Sequence, residues 1–232
     1  MDVAVVTGAG RGMGREIARL LAARGHGVVA TDVNPEGAAE TAELLGDQVW
    51  PLAVDVRDPE AHRAAAVAAG ERGTLKAWFN NAGILRTDKA WAHSDDEVRA
   101  VVEANLLGVI WGSRTAVEAM RSTGGHIVNM ASMSSFGPVP GLAVYGATKH
   151  AVLGFSGSLQ GDLQQEGSRS ACTWSARTRS TRAWCASARR IPTRRSSSPA
   201  RSCSTRPTWP RRRSRCLIPG SSCSRSPETG PG

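Results

Sequence analysis

Three side chains in the second half of the sequence stand where acid–base chemistry could be done. Tyr145 and Lys149, in "YGATK", lie four residues apart and so share one face of a helix. A phenol titrates near 10 and is a poor base at neutral pH. An ammonium held beside it stabilises the phenolate and draws the proton equilibrium toward the working range. Ser132 closes the run "GHIVNMAS", at the end of a strand, where an open α/β sheet presents its site. Each residue also has an ordinary reading. Tyr145, the only tyrosine in 232 residues, could be half-buried core, Lys149 a solvated surface lysine, and Ser132 a strand-end cap.

The hydrophobic pattern supplies a scaffold for them. "VAVVTG" (3–8) is a short, β-branched apolar run, as in a strand buried on both faces of a parallel sheet. In the helix that follows, Met13, Ile17, Leu20 and Leu21 mark one stripe, ended by Gly25 and Gly27. Further strands are expected at 27–32, 48–56, 75–83 and 125–132. Helices are expected near 36–45, 59–69 and 143–165, with another opening on Ser94 as N-cap and running as two segments that meet near Asn105. Strand followed by helix throughout implies right-handed crossovers, hence an α/β, Rossmann-type doubly wound parallel sheet. Five strands are visible; the order 3-2-1-4-5-6 requires a sixth, starting near residue 170.

Between the first strand and the first helix stands "TGAGRGMG". A pyrophosphate needs a tight turn, a surface free of side chains and the amides of a helix N-terminus, which Gly8, Gly12 and Gly14 could provide. A glycine string alone could equally be a simple turn. Asp32 ends the second strand. A carboxylate there can accept hydrogen bonds from both ribose hydroxyls and repel a 2′-phosphate, which favours NAD, whereas Arg11 in the loop could favour NADP. Asp32 could also be a turn aspartate before "NPEG".

With TGxxxGxG at 7–14, "NNAG" at 80–83, Asn105, Ser132, Tyr145 and Lys149, the sequence resembles the short-chain dehydrogenase/reductase family over residues 1 to about 167. The resemblance implies an NAD(P)-dependent oxidoreductase that interconverts a secondary alcohol and a ketone by hydride transfer. It implies that Tyr145 exchanges the proton of the substrate oxygen, and that Lys149 lowers the Tyr145 pKa and holds the nicotinamide ribose. Ser132 would hydrogen-bond the reacting oxygen, and Asn105 would place a water linking Lys149 to solvent. Cofactor contacts are implied for Gly8, Arg11, Gly12, Met13 and Gly14, for Asp32, for Asp55 and Val56 beside the adenine, and for Asn81, Ala82 and Gly83. The cofactor would be NAD in preference to NADP, with no metal. A small alcohol or ketone would be the substrate, and a homodimer or tetramer would form through the long helices. His26, His62, His93, His126 and His150 form no constellation and read as surface or structural residues.

The chain changes composition after Gly167. Residues 1–167 hold 14 Lys and Arg against 19 Asp and Glu, a balance of −5. Residues 168–232 hold 15 Arg against the single Glu228, a balance of +14, so the whole-chain charge of +9 belongs to the tail. All five cysteines lie there too, with no CxxC pair and no histidine to complete a zinc site, and the odd count argues against a closed disulfide framework. The cysteine-free body, with no leader-like or membrane-length apolar run, suits the cytoplasm. The tail's only aliphatics are Ile191, Leu217 and Ile218. Burying them would yield roughly 5–9 kcal/mol, against about 65–130 kcal/mol of backbone entropy for 65 residues.

Residues 1–167 are therefore read as an incomplete dinucleotide-binding domain and 168–232 as a tail that builds no core. The tail is either disordered or translated from a shifted frame. One base on, the codons from Thr173 to Trp184 are compatible with an apolar strand and a Pro-containing loop, with a valine forced across Trp174 and Ser175. The C-terminal strands are expected to be missing, leaving the fifth strand a bare edge, with weak or no turnover and poor solubility. The alternatives are a cofactor-binding protein without catalysis and an Arg/Ser-rich arm that binds nucleic acid through phosphates. The cysteines and tryptophans make such an arm, and a nucleic-acid partner, the weaker reading.

Overall fold

A computed structural model of the chain describes residues 1–177. Six parallel strands form one sheet in the order β3-β2-β1-β4-β5-β6. They are β1 (Asp2–Thr7), β2 (Gly27–Asp32), β3 (Val49–Ala53), β4 (Thr74–Asn80), β5 (His126–Ser132) and β6 (Ala171–Arg177). Between them run α1 (Gly12–Ala22), α2 (Pro35–Leu45), α3 (Pro59–Arg72), α4 (Asp95–Val102), α5 (Gly108–Ala119) and α6 (Ala143–Gln165). The doubly wound architecture is the one the strand–helix alternation predicts.

The strands read as apolar runs because both faces are covered. Along β1, Val3 and Val5 enter one core cluster with Trp78, Met120 and Ile127. The intervening Ala4 and Val6 enter the other with Ile17, Leu21 and Phe79. Period-two alternation thus sends successive side chains into two different cores. Local signals set the helix starts. Asn34 and Asp58 cap α2 and α3, each followed by a proline in the first turn. Ser94 and Glu97 close a reciprocal capping box on α4.

Two features depart from the expected pattern. Between α4 and α5 the backbone widens into a π-helical turn, Glu103–Leu107, centred on Asn105. Such turns are rare and concentrate at functional sites. The second departure is a correction: the sixth strand is present. Gly167, at φ 64°, ends α6, with Gly167 N donating to the Gln164 carbonyl and Ser168 N to the Leu163 carbonyl. That closure turns the chain back onto the sheet. β6 then pairs with β5 along its whole length, from His126–Ala171 to Ser132–Arg177. Main-chain pairing needs few apolar side chains, and Cys172 alone, 3% exposed, anchors the strand in the core. The bare edge expected at β5 is therefore covered by β6. The remaining tail, from residue 178, lies outside the described residues, as does most of the frame-shifted reading.

A buried polar network ties the C-terminal half together. Asn80 accepts from the Trp78 indole at 2.8 Å and donates to Asn129 at 2.8 Å and to Ser113 at 3.1 Å. Asn129 donates in turn to Ser156 at 3.0 Å and Cys172 Sγ at 3.6 Å. The chain of bonds therefore links β4, β5, α5, α6 and β6.

Candidate active site

Lys149 is 4% exposed, and its Nζ donates to the Met130 carbonyl of β5 at 2.7 Å. Burial pulls its pKa down to about 8, because a desolvated ammonium loses its hydration. The same Nζ stands 5.9 Å from the centre of the Tyr145 ring, one helical turn earlier on α6. The surface reading of Lys149 is thereby ruled out. Asn105 is fully buried, and its amide pairs both ways with the Ile84 backbone, accepting at 2.7 Å and donating at 2.8 Å. Gly83 fits between these residues. A Cβ there would lie 2.8 Å from Asn105 Oδ1 and 3.8 Å from Lys149 Nζ. Ser132 ends β5 and caps a 3₁₀ turn, Met133–Ser135, its Oγ accepting from Ser134 N at 3.2 Å. Ser135 Oγ accepts from Ser132 N at 3.2 Å and donates to the Lys149 carbonyl at 2.9 Å. The four predicted catalytic residues thus lie together at the C-terminal ends of β4 and β5, where an open parallel sheet holds its ligands.

The glycine loop stands between β1 and α1, at the end of the sheet where β4 and β5 present those residues. Gly12 has φ 57° and open space where a Cβ would stand, so the α1 N-terminus is bare. Arg11, exposed at the N-cap, takes no side-chain hydrogen bond from the first turn. A bare turn leading into free helix amides fits a pyrophosphate. Gly8 and Gly14 serve a different need. Cβ atoms there would press on Ala82 Cα and the Gly8 carbonyl oxygen, so these two glycines allow the loop to close on the "NNAG" segment. Asn81 completes the junction, donating to the Thr7 carbonyl at 2.8 Å and the Gly8 carbonyl at 3.2 Å. Met13 is half-buried against the α1 core.

Asp32 is oriented by two backbone donors, Gly10 N at 2.9 Å and Asn34 N at 3.0 Å. Asp55 is engaged within its own loop, paired with Arg57 at 2.6 Å, and that hydrogen bond holds its pKa below the usual carboxylate range. The Val56 carbonyl lies 2.9 Å from His62 Nε2. His62 is fully buried against Trp78, a structural position.

With this geometry in place, the sequence profile of the short chain dehydrogenase family matches residues 2–184. The chain belongs to that family. The match runs past Gly167 into the arginine- and serine-rich segment, beyond the limit the motifs suggested. Among relatives, a probable oxidoreductase, EphD, of Mycobacterium bovis is 35% identical over 168 residues, covering 70% of this chain. The chain spans only 28% of that relative's length. A short-chain dehydrogenase/reductase from Burkholderia phymatum, solved with NAD, superposes with a TM-score of 0.73 at 34% identity. That match covers 75% of this chain and 64% of the other. A serine dehydrogenase solved with NADP+ gives a TM-score of 0.70 at 31% identity, over 75% and 71%.

In this short-chain dehydrogenase, several residues of the site escaped motif reading. Thr7 Oγ1 receives the amides of Asn81 and Ala82, each at 3.0 Å, and fixes the "NNAG" loop to β1. Thr7 opens TGxxxGxG, but the motif's spacing alone gives it no role. Gly10 lies against the Asp32 carboxylate, and Arg15 and Thr41 hold the loop carbonyls. Ser135 joins Ser132 to Lys149. No spacing rule marks these four, because their partners are distant in sequence or reached around a turn. Among the described residues, no helix is long and apolar enough to cross a membrane.

Proposed function

We propose that the protein is an NAD(P)-dependent oxidoreductase interconverting a secondary alcohol and a ketone, with Tyr145 as the proton-exchanging group. The observation that carries this is the buried Lys149 ammonium facing the only tyrosine of the chain, with Gly83 between it and Asn105 and Ser135 joining it to Ser132. A nicotinamide dinucleotide, when bound, supplies the hydride acceptor or donor. Lys149 places its charge 5.9 Å from the centre of the Tyr145 ring, in a desolvated site where charge acts with little screening. Ser132 Oγ, which accepts from Ser134 N, would donate its proton to the reacting oxygen. Asn105 holds the Ile84 backbone, and with it the "NNAG" loop, close to Lys149.

NAD is favoured over NADP because Asp32 presents a backbone-oriented carboxylate where a 2′-phosphate would bring more negative charge. Gly8, Arg11, Gly12, Met13, Gly14, Asp55, Val56, Asn81, Ala82 and Gly83 complete the proposed cofactor site. A homo-oligomer is part of the reading. An apolar groove of about 440 Å³ between α4 and α6, lined by Val98, Val102, Leu106, Val144 and Ala147, gives the long helices a face to share.

The test is absorbance at 340 nm with NAD+ and a panel of simple secondary alcohols, propan-2-ol, cyclohexanol and 3-hydroxybutyrate. Tyr145→Phe should lower kcat at least a hundredfold while NADH still binds. Turnover undiminished in Tyr145→Phe would remove the phenol from the mechanism.

A further inference from the structure

Gly10 is held through both of its backbone polar groups, which belong to successive peptides. Its N–H donates to Asp32 Oδ2 at 2.9 Å, and its carbonyl accepts from Arg15 Nη2. Arg15 does not act there alone. Its Nε donates to Thr41 Oγ1 at 2.9 Å, and its two terminal nitrogens grip Glu40 at 3.1 and 2.7 Å. Thr41 Oγ1, with its one proton, reaches the Ala9 carbonyl at 2.8 Å and the Gly37 carbonyl at 3.0 Å. α2 packs directly on Gly10, since a Cβ on Gly37 would stand 3.3 Å from both Gly10 Cα and its oxygen. There is no room on the other side either, where a Cβ on Gly10 would lie 2.8 Å from the Asp32 carboxyl carbon.

We propose that Arg15 is a positioning residue for nucleotide selectivity, acting through the two peptides that flank Gly10, one directly and one by way of Thr41, to keep Asp32 aimed at the ribose. The inference rests on the dinucleotide reading above and extends it to a residue outside the motif. A planar guanidinium holds its donors in a fixed fork that spans Gly10, Thr41 and Glu40 at once, whereas the three donors of a lysine radiate from one nitrogen on a flexible stem. Glu40 fixes the guanidinium from the solvent side, so the fork has one geometry and the Gly10 carbonyl has one direction. The N–H on Asp32 belongs to the preceding peptide, Ala9–Gly10, whose carbonyl accepts from Thr41 Oγ1, and Thr41 Oγ1 in turn accepts from Arg15 Nε. If Arg15 is removed, the Gly10 carbonyl and Thr41 are released together, the Ala9–Gly10 peptide can rotate, and the carboxylate loses one of its two backbone donors. Asp32 then swings toward solvent. A dinucleotide with a free 2′-hydroxyl loses its acceptor, while one with a 2′-phosphate is relieved of repulsion.

The experiment is fluorescence titration of the full chain with NADH and with NADPH, for wild type, Arg15→Met and Arg15→Lys, each checked for its thermal midpoint. Arg15→Met should bind NADH about tenfold more weakly with NADPH affinity held or improved, so that the preference ratio falls about tenfold. Arg15→Lys should recover part of that ratio and remains readable if the methionine variant folds poorly. An equal weakening toward both nucleotides would mean that Arg15 only supports the fold, and would overturn the proposal. An unchanged ratio in Arg15→Met, with wild type binding NADH normally, would overturn it alone. Wild type binding neither nucleotide would overturn it together with the dinucleotide reading.

Discussion

At the scale of single residues, Lys149 is costly to the fold. An ammonium that is 4% exposed, hydrogen-bonded to one carbonyl and facing an aromatic ring, has lost most of its hydration. Its folded pKa of about 8 lies below the ordinary 10.5, so between those values the unfolded chain binds the extra proton. Stability must therefore rise with pH from 8 to 10.5, and the penalty is present in full below pH 8. Lys149→Met should be more stable than wild type by about 1–3 kcal/mol at pH 7, with the gap narrowing by pH 9.5, while turnover is lost. Urea unfolding at the two pH values measures it, and a variant less stable than wild type at pH 7 would contradict this account. Tyr145 and Lys149 were legible in the sequence because helical spacing and chemistry coincide at them. Ser135 was not, since one serine in "SMSS" looks like another until the fold brings Lys149 against it.

At the scale of elements, boundaries with local signals were readable and those set by packing were not. α6 runs from Ala143 to Gln165, as its pattern predicts. The junction near Asn105 was visible as a break between two helical segments. Its π-helical form was not, because a widened turn depends on hydrogen-bond register rather than composition. Gly112 illustrates the difference. On α5 it reads as a weak point, since glycine in a helix costs about 1 kcal/mol relative to alanine. In the fold, a Cβ there would overlap Asn80 Oδ1 and stand 3.0 Å from the Trp78 indole nitrogen. Gly112→Ala should therefore destabilise the protein by about 2–4 kcal/mol, against the helix-propensity sign, by breaking the network that joins β4 to β5 and β6. A chemical-denaturation midpoint equal to or above wild type would show that α5 can move away at little cost.

At the scale of the whole molecule, the sheet order and the two core faces followed from the alternation of apolar runs, while the end of the sheet did not. Side-chain composition argued against a sixth strand, yet β6 forms because Gly167 reverses the chain and β5 offers it a complete row of main-chain partners. Only Cys172 is deeply buried, and Trp174 remains 42% exposed against Phe136. That arrangement gives α6, which carries Tyr145 and Lys149, a packed floor at both β5 and β6. The proposed dinucleotide site should work in the full chain, tail included. The most direct measurement is a titration of the full-length protein with NADH, followed by nucleotide fluorescence and checked by calorimetry. Saturable, one-to-one binding in the micromolar range is the predicted result. A folded chain, shown so by circular dichroism, that gives no saturable signal at millimolar NADH would contradict the account.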